Sequence, residues 1–381
     1  MTSVLVDFDE AFKSKTGIPL STVNDTICLV ESGAHVTLWV TIGSHENLVK
    51  EWANQILTEE QNSRVKVLNT RPGNLKMWVM CFFGLRPKLD KFDYYYMRLF
   101  PFSPAGTPFN ALLRIDDPFG VEAKVARSFF KDFLGGLKLK LALARTIRTL
   151  SYRRLLNRGN VIHVFNSNFT SRLWQSIYGP VRYNYIIYPP VQFSFSSNSR
   201  NESEHKILAS NELPYFIFIG GQRQRKDPSS VINAWAESSN FTRARIVVVG
   251  EIPDIYLSDQ SRRLISAGLL VFRQNISVSE LENLVTKAAA LVFNSTGEGF
   301  GNPIAEAVYL GVAIICNDLE PFKEIGIRNT WFYQSGNYAE AVTLMLSVLD
   351  KKMELKQPFP QNESPFGYVR AIASWKKLLA L

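Results

Sequence analysis

The sequence predicts an α/β protein built from two doubly wound domains. At 381 residues, the chain is longer than a single hydrophobic core usually supports. Short apolar runs alternate with longer amphipathic stretches along both halves of the chain. Strands that alternate with helices in this way are typical of a mostly parallel sheet covered by helices. Apolar residues make up 46% of the chain, which is enough to fill two cores.

Six apolar runs predict the strands of the first domain. They are residues 3–8, 35–41, 64–69, 111–116, 161–166 and 183–188. Amphipathic patterns between these runs predict helices at about 19–32 and 47–57. This order of elements favours a sheet of the doubly wound type.

A change of composition separates the two halves. Residues 189–212 are rich in proline, serine, asparagine and charge, which is typical of a linker or surface loop. A second alternating series follows, with predicted strands at 215–221, 245–251, 269–274, 290–295 and 312–317, and helices at about 228–238, 279–289, 303–310 and 366–381. We therefore predict an N-terminal domain of residues 1–190, completed by 367–381, and a C-terminal domain of 191–366. A ligand cleft is expected at the carboxyl ends of their strands.

Charge and hydropathy limit the partners and the location. The net charge is +9 with a pI near 9.3, which favours a phosphate-bearing partner: nucleic acid, anionic lipid or a phosphorylated small molecule. The first residues do not have the pattern of a secretory signal, and no apolar run approaches the roughly 18 residues that span a bilayer. We expect a cytoplasmic protein.

The segment NSTGEGFGNPIAEAVYLGVAIICND, residues 294–318, combines a glycine loop with a helix start. The preceding apolar run predicts a buried strand, and the glycines predict a permissive turn after it. Asn302 is a suitable helix cap, Pro303 suits the first turn, and Gly311 is a suitable end. The segment is therefore predicted to be strand, loop and helix.

Two glutamates, Glu298 and Glu306, lie eight positions apart in this segment. A glycine loop at a helix N-terminus directs backbone N–H groups to one point, which suits a phosphate. Glu306 lies near the start of the helix and can accept hydrogen bonds from a ribose diol, while Glu298 on the loop can meet a second polyhydroxyl group. A phosphate between two diols describes a nucleotide-sugar. The alternative is an ordinary strand–turn–helix with solvated glutamates.

The same segment closely resembles the signature of the family 4 retaining glycosyltransferases, in which two glutamates are separated by seven residues. Glu298 and Glu306 match both acids, and the surrounding frame is matched by Gly299, Phe300, Gly301, Pro303, Ala307 and Gly311. Ala313 stands where the family usually has proline. The resemblance is strong over about 214–326 and weaker before it. It implies the GT-B fold, in which two Rossmann-like domains face each other across a cleft.

The resemblance also implies a role for each matching residue. Glu298 would bind hydroxyls of the donor sugar, and Glu306 would bind the ribose. Lys226 would neutralise the diphosphate as it leaves, where a cation has the greatest effect on rate. Backbone N–H groups would hold the sugar and diphosphate, from the second domain at Gly299, Phe300, Gly301 and Asn302, and from the first domain at Gly17 and Ile18.

Two positions depart from the family pattern. Gly221 stands where the family has an arginine, and we prefer Arg223 as its substitute, with Arg225 as the alternative. Asp116 and Asp117 stand where relatives often have histidine followed by aspartate. Either aspartate is a candidate to accept the proton of the acceptor hydroxyl or to orient it, and the alternative is that both cap the next helix.

A basic stretch at 135–159 contains leucines at helical spacing and no acidic residue. Such a helix suits the surface of an anionic membrane, and the competing interpretation is a helix packed on its own domain. No nucleic-acid motif accompanies the charge, so we expect no nucleic-acid partner. The pair Asp7 and Asp9 matches a metal-binding D-x-D only in letters, and we expect no metal site.

Together these patterns and the resemblance predict a glycosyltransferase that moves a hexose-type sugar from a nucleoside-diphosphate-sugar to a glycan or polyprenyl-linked acceptor, in surface polysaccharide assembly. Retention of the anomeric configuration is what the resemblance implies. No cofactor or metal is expected. Two other functions remain open: a nucleotide-sugar epimerase of the same fold, and a catalytically silent glycan-binding scaffold.

Overall fold

The computed structural model describes residues 2–8, 18–41, 57–71, 92–98, 110–116, 161–191, 213–222, 225–360 and 362–380. Several sequence predictions lie outside these ranges, namely those on Asp9, Gly17, Asp117, Arg223 and 135–159. The helix predicted at 47–57 and most of the predicted linker also lie outside them.

The chain divides into two compact units. The first consists of Met1–Pro189 together with Val369–Leu381, and the second of Pro190–Tyr368. Each unit contains one sheet in which the described strands pair in parallel. In the second unit a helix lies between every two successive strands, and in the first unit helices are described between the first three strands and between the last two. The predicted α/β class with two Rossmann-like units is confirmed.

Strands and helices are numbered in chain order within the described residues. The strands are β1 (Ser3–Asp7), β2 (His35–Thr41), β3 (Val65–Arg71), β4 (Tyr94–Arg98), β5 (Asn110–Ile115), β6 (Val161–Phe165), β7 (Tyr183–Ile186), β8 (Tyr215–Ile219), β9 (Arg245–Val249), β10 (Leu270–Arg273), β11 (Ala290–Phe293), β12 (Ile314–Asn317) and β13 (Thr330–Tyr333). The helices are α1 (Ile18–Glu31), α2 (Glu59–Ser63), α3 (Asn168–Tyr178), α4 (Pro228–Glu237), α5 (Asp259–Ser266), α6 (Val278–Lys287), α7 (Asn302–Leu310), α8 (Glu320–Ile325), α9 (Tyr338–Leu349) and α10 (Tyr368–Leu379).

The first unit is a seven-stranded sheet in the order β3-β2-β1-β4-β5-β6-β7. The central strand β1 buries Val4, Leu5 and Val6 completely, as expected for a strand covered on both faces. The C-terminal helix α10 belongs to this unit, because its buried Trp375 packs against Tyr96 of β4 with ring centroids 5.9 Å apart. The strand order reverses between β1 and β4.

The second unit is a six-stranded sheet in the order β10-β9-β8-β11-β12-β13. Its core lies between the sheet and the helices, where Phe216 of β8 meets Trp235 of α4 edge to face with centroids 5.5 Å apart. The strand order reverses between β8 and β11. In an open parallel sheet ligands bind at the carboxyl ends of the strands beside such a reversal. The loops after β8 and β11 are therefore where a site is expected in this unit.

Candidate functional site

The glycine loop after β11 leads into α7 through a left-handed turn. Gly301 has φ 109° at the helix N-cap, and a Cβ there would lie 3.1 Å from the ring of Phe322. The prediction that Asn302 caps this helix is wrong, because Asn302 is its exposed first residue and no side chain makes a cap hydrogen bond. Pro303 in the first turn and Gly311 at the end, with φ 75°, are as predicted. A helix start of this kind suits an anionic group.

Glu306 lies in the second turn of α7 and is only 9% exposed. Burial raises the pKa of its carboxyl to about 7, because the charged form is poorly solvated, and the charge of Lys226 opposes this shift only in part. Glu298 lies on the loop and is half-buried, with Oε1 at 3.5 Å from the hydroxyl of Ser295. The structure thus places one glutamate in the wall of the site and one on its loop.

Lys226 lies between β8 and α4 and reaches the same strand end. Its backbone forms an isolated antiparallel β-bridge with Ser295 of the glycine loop. Its side-chain Nζ lies 5.1 Å from the ring centroid of Phe293. Gly220, with φ 97°, makes room for it: a Cβ there would lie 2.9 Å from Cδ and Nζ of the lysine. The predicted cation and the two predicted acids therefore belong to two adjacent segments of one sheet edge.

Asp227 follows the lysine and caps α4. Its carboxylate accepts hydrogen bonds from Ser230 N at 3.3 Å, Ser230 Oγ at 2.6 Å and Ser229 Oγ at 2.9 Å, and from Gln222 Nε2 at 3.2 Å. Burial works against the charge, but these hydrogen bonds outweigh it and lower the pKa of Asp227. The residue directly after Lys226 is therefore held in place by the hydrogen bonds of its carboxylate.

Gly221 occupies the position where the resemblance places an arginine. A Cβ at Gly221 would lie 2.1 Å from the carbonyl oxygen of Glu251, and the N–H of Gln222 donates to that same oxygen at 2.8 Å. The loops after β8 and β9 thus pack backbone against backbone, and no larger side chain fits without moving one of them. Of the two proposed substitutes, Arg225 is half-buried and Arg223 lies outside the described residues. The substitution stays a prediction.

Asp116 follows β5 at the carboxyl edge of the first unit. Its Oδ1 accepts from Arg114 Nε at 3.1 Å, its Oδ2 forms an ion pair with Arg98, and its carbonyl accepts from Asn166 Nδ2 at 2.6 Å. Both carboxylate oxygens are engaged, so the geometry favours orienting a ligand over abstracting a proton. The role of this residue stays a prediction.

Sequence reasoning missed three residues around Asp116. Asp25 of α1 lies 3.1 Å from Arg98 Nη2 and 3.3 Å from Arg114 Nε, and it accepts from the hydroxyl of Tyr96 at 2.7 Å. Arg114 is completely buried, and its Nη1 donates to the carbonyl of Ile187 at 2.7 Å. The only sequence signal was a single arginine in each of two apolar strands. We call Asp25, Arg98, Arg114 and Asp116 the aspartate–arginine quartet.

The described ranges contain no group of three or more histidine, cysteine, aspartate or glutamate side chains arranged to hold a metal ion. None of their helices is long and apolar enough to cross a membrane.

The sequence of the second unit matches a known family. The family model described as glycosyl transferases group 1 matches residues 199–363. Among curated relatives, the serotype-specific mannosyltransferase WbdA of Escherichia coli is 27% identical over 176 residues, covering 44% of this chain and 22% of the relative. The O-antigen chain mannosyltransferase RfbU of Salmonella typhimurium is 31% identical over 134 residues, covering 34% of this chain and 36% of the relative.

The matched segment aligns with only part of each relative. The chain covers 22% of the length of WbdA and 36% of the length of RfbU. The activity of the whole chain does not follow from these partial matches.

Solved structures resemble the whole chain in fold. An apo structure of OtsA has a TM-score of 0.60 at 9% identity, covering 100% of this chain and 98% of that one. A glycosyltransferase from Rickettsia africae has a TM-score of 0.58 at 14% identity, with 99% and 93% covered. Anabaena HepE in complex with UDP and glucose has a TM-score of 0.57 at 14% identity, with 100% and 95% covered. The fold of this chain is GT-B, as predicted.

Proposed function

We propose that this chain is a glycosyltransferase that moves a hexose-type sugar from a nucleoside-diphosphate-sugar to a hydroxyl of a glycan or lipid-linked glycan. The observation that carries the proposal is the second unit's sheet edge, where Lys226, Glu298 and the buried Glu306 surround a glycine loop at a helix start. The family match over residues 199–363, a range that contains the predicted signature, also supports it.

The proposed donor uses each group for a separate task. The ribose hydroxyls donate hydrogen bonds to Glu306. These hydrogen bonds take the place of those that the buried carboxyl would otherwise make with water. The ammonium of Lys226 and the backbone N–H groups at the start of α7 stabilise the diphosphate, whose charge grows as the glycosidic bond breaks. Glu298 accepts hydrogen bonds from hydroxyls of the transferred sugar. We further propose that transfer proceeds with retention and without a metal.

The sugar to test first is mannose, since two curated relatives are named mannosyltransferases. The proposed setting is surface polysaccharide assembly on the cytoplasmic face of a membrane, with residues 135–159 as the contact with anionic lipid. Co-sedimentation with vesicles with and without phosphatidylglycerol tests that contact. Binding that does not depend on anionic lipid contradicts it.

The deciding experiment is a thermal-shift and calorimetry screen with GDP-mannose, UDP-glucose and dTDP- and ADP-sugars, each with and without EDTA. A nucleotide-sugar at ~100 times its Kd should stabilise the protein by about 2.7 kcal/mol. We expect one nucleotide to stand out, its effect to survive EDTA, and Glu306→Ala to abolish it. Slow hydrolysis of the donor supports a transferase, whereas conversion to an epimer contradicts the proposal. Absence of any shift contradicts an intact donor site.

A further inference from the structure

Two buried asparagines lie at the carboxyl ends of neighbouring strands under the proposed donor site. Asn294 directly follows β11, and Asn317 is the last residue of β12. Asn317 is only 2% exposed and Asn294 only 7%. A buried amide costs free energy unless its donors and acceptor are all used. What these two side chains bind therefore indicates why the sheet tolerates them.

Asn294 holds the residue that follows the catalytic lysine candidate. Its side-chain Nδ2 donates to the backbone carbonyl of Asp227 at 2.7 Å, and its backbone carbonyl accepts from Asp227 N at 3.2 Å. Its Oδ1 accepts from the hydroxyl of Tyr333 at 3.0 Å, which fixes the orientation of the amide. One side chain and its backbone thus engage both backbone groups of Asp227.

Asn317 holds the start of the glutamate loop in the same manner. The backbone ladder between β11 and β12 ends at Phe293 and Cys316. Beyond that pair, Oδ1 of Asn317 accepts from Ser295 N at 3.1 Å, and its Nδ2 donates to Ser295 O at 2.8 Å and to Ser335 Oγ at 3.0 Å. The side chain therefore continues the ladder where the backbone does not.

Ser295 connects the two arrangements. Its hydroxyl donates to the carbonyl of Arg225 at 3.0 Å, and the next residue, Thr296, donates its N–H to that same carbonyl at 2.8 Å. Lys226 lies between the two held residues, Arg225 and Asp227, and forms a bridge with Ser295. The position of the lysine relative to the loop is thus set by two side-chain amides and one hydroxyl.

We propose that Asn294 and Asn317 are positioning residues for the transfer: Asn294 fixes Lys226, and Asn317 fixes the loop that carries Glu298. Neither asparagine needs to touch the donor. The inference rests on the proposed function, because Lys226 and Glu298 matter only if a donor binds between them. A misplacement of reacting groups by about 1 Å can lower a rate by about 10²-fold, so loss of either amide should lower kcat more than it raises KM.

The test compares Asn317→Ala with a matched control, Asn329→Gly. Asn329 is 7% exposed and precedes β13 at the opposite edge of the same sheet. It also makes three hydrogen bonds, from Nδ2 to Gly311 O at 3.0 Å and Lys356 O at 2.9 Å, and from Lys356 N to Oδ1 at 2.8 Å. Glycine is the control substitution because Asn329 has φ 56°.

Both variants are assayed as full-length chains for thermal stability and for kcat and KM of donor turnover, with the nucleotide-sugar that the screen selects. Asn317→Ala should lower kcat on the order of 10- to 100-fold while KM changes about threefold or less. Asn329→Gly should lower Tm to a similar extent with kcat within about twofold of wild type. Equal kcat in the two variants would overturn the inference.

Milder variants decide the matter if Asn317→Ala does not fold. Asn317→Asp keeps the acceptor for Ser295 N, and Tyr333→Phe removes only the hydroxyl that orients Asn294. Each should lower kcat several-fold at unchanged KM, and wild-type kcat in both would overturn the inference. If the wild-type chain turns over no nucleotide-sugar, the proposed function and this inference fail together. If the wild-type chain is active and the Asn317 and Tyr333 variants keep the kcat of the Asn329→Gly control, the inference alone fails.

Discussion

The carboxyl edges of the two sheets differ in how their buried charged groups are paired. In the first unit, Asp25 and Asp116 are paired with Arg98 and Arg114. Burial works against the Arg98 charge, but Asp116, Tyr96 and Asp25 outweigh it and raise the pKa of that guanidinium. In the second unit, Glu306 is buried with Lys226 as the cation that lowers its pKa, and the pKa still rises to about 7.

The difference indicates at which edge the hydrogen bonds of a ligand would stabilise a buried charged group most. In the quartet, each of the two carboxylates is ion-paired with both guanidinium groups. A buried carboxyl with a strongly raised pKa is stabilised by any ligand that brings hydrogen-bond donors to it, and such groups are typical of functional sites. The charged groups of the first edge are therefore paired with one another, whereas Glu306 at the second edge is the group that we propose to meet a polyhydroxyl ligand.

Removing one arginine from the quartet should have the largest effect on stability. Arg114→Met leaves Asp25 and Asp116 buried with one cation fewer, and breaking a buried ion pair in this way typically costs about 3–5 kcal/mol. The measurement is urea unfolding, read as a shift in the transition of the first unit. A loss below about 1 kcal/mol would show that the quartet is solvated and the comparison false.

The matched double variant sharpens this result. Adding Asp25→Asn to Arg114→Met removes one charge of each sign, so part of the lost stability should return. If the double variant is less stable than wild type by the sum of both single losses, the two residues are not coupled. Arg262, exposed and paired with Asp259 within α5, provides the surface control, for which Arg262→Met should cost about 0.5 kcal/mol or less.

Sequence patterns predicted the fold well where the strands are apolar and continuous. The runs at 35–41 and 161–166 are strands at His35–Thr41 and Val161–Phe165. The strand Tyr94–Arg98 was missed, because three tyrosines followed by a methionine and an arginine do not alternate between apolar and polar residues. The strand Thr330–Tyr333 was also missed, because a strand of four residues gives little periodic signal.

The site was predictable only where its residues are close in sequence. Glu298 and Glu306 share one loop and helix, so their spacing carried the signal. The quartet draws on α1, β4 and β5, and three of its four ion pairs join residues far apart in the chain, which no local pattern reveals. Asn302 was predicted to cap α7 because asparagine favours that position, yet the cap position falls one residue earlier, at Gly301.

Glu306→Gln should stabilise the second unit at high pH. A carboxyl whose pKa rises on folding from 4.5 to about 7 contributes full stability below pH 4.5 and loses it as the pH rises to 7. The loss at pH 8 amounts to about 3 kcal/mol, so the glutamine variant should be more stable by roughly that amount at pH 8 and equal to wild type near pH 4. Urea midpoints across this range measure it.

The exposed Glu354 provides the control for this pH dependence. Glu354→Gln should change stability by about 0.5 kcal/mol or less at every pH, because the side chain is exposed. A Glu306→Gln variant that is no more stable than wild type at pH 8 would mean that Glu306 is well solvated. The contrast between the two sheet edges would then be lost.

Gly221 bears on the contrast in charge between the two sheet edges, because it occupies the position beside the second edge where the family resemblance implies an arginine. Gly221→Ala should cost about 2 kcal/mol, since its Cβ would lie 2.1 Å from the carbonyl of Glu251. The control is Gly268→Ala, which has φ 70° and open space around its Cβ and should cost about 1 kcal/mol. Chemical denaturation compares them, and equal losses would show that the loops after β8 and β9 separate easily.

Nucleotide-sugar affinity should depend on pH through Glu306. If ribose hydroxyls donate to the ionised carboxylate, binding favours the deprotonated form, so affinity should fall about tenfold between pH 8 and pH 6 and binding should release a proton below pH 7. Calorimetry in two buffers of different ionisation enthalpy measures both effects. The intact nucleotide-sugar is the suitable ligand, because the terminal phosphate of a free nucleoside diphosphate titrates in the same range. Affinity that is constant across this range would place the ribose elsewhere and leave Glu306 as a buried acid without a ligand.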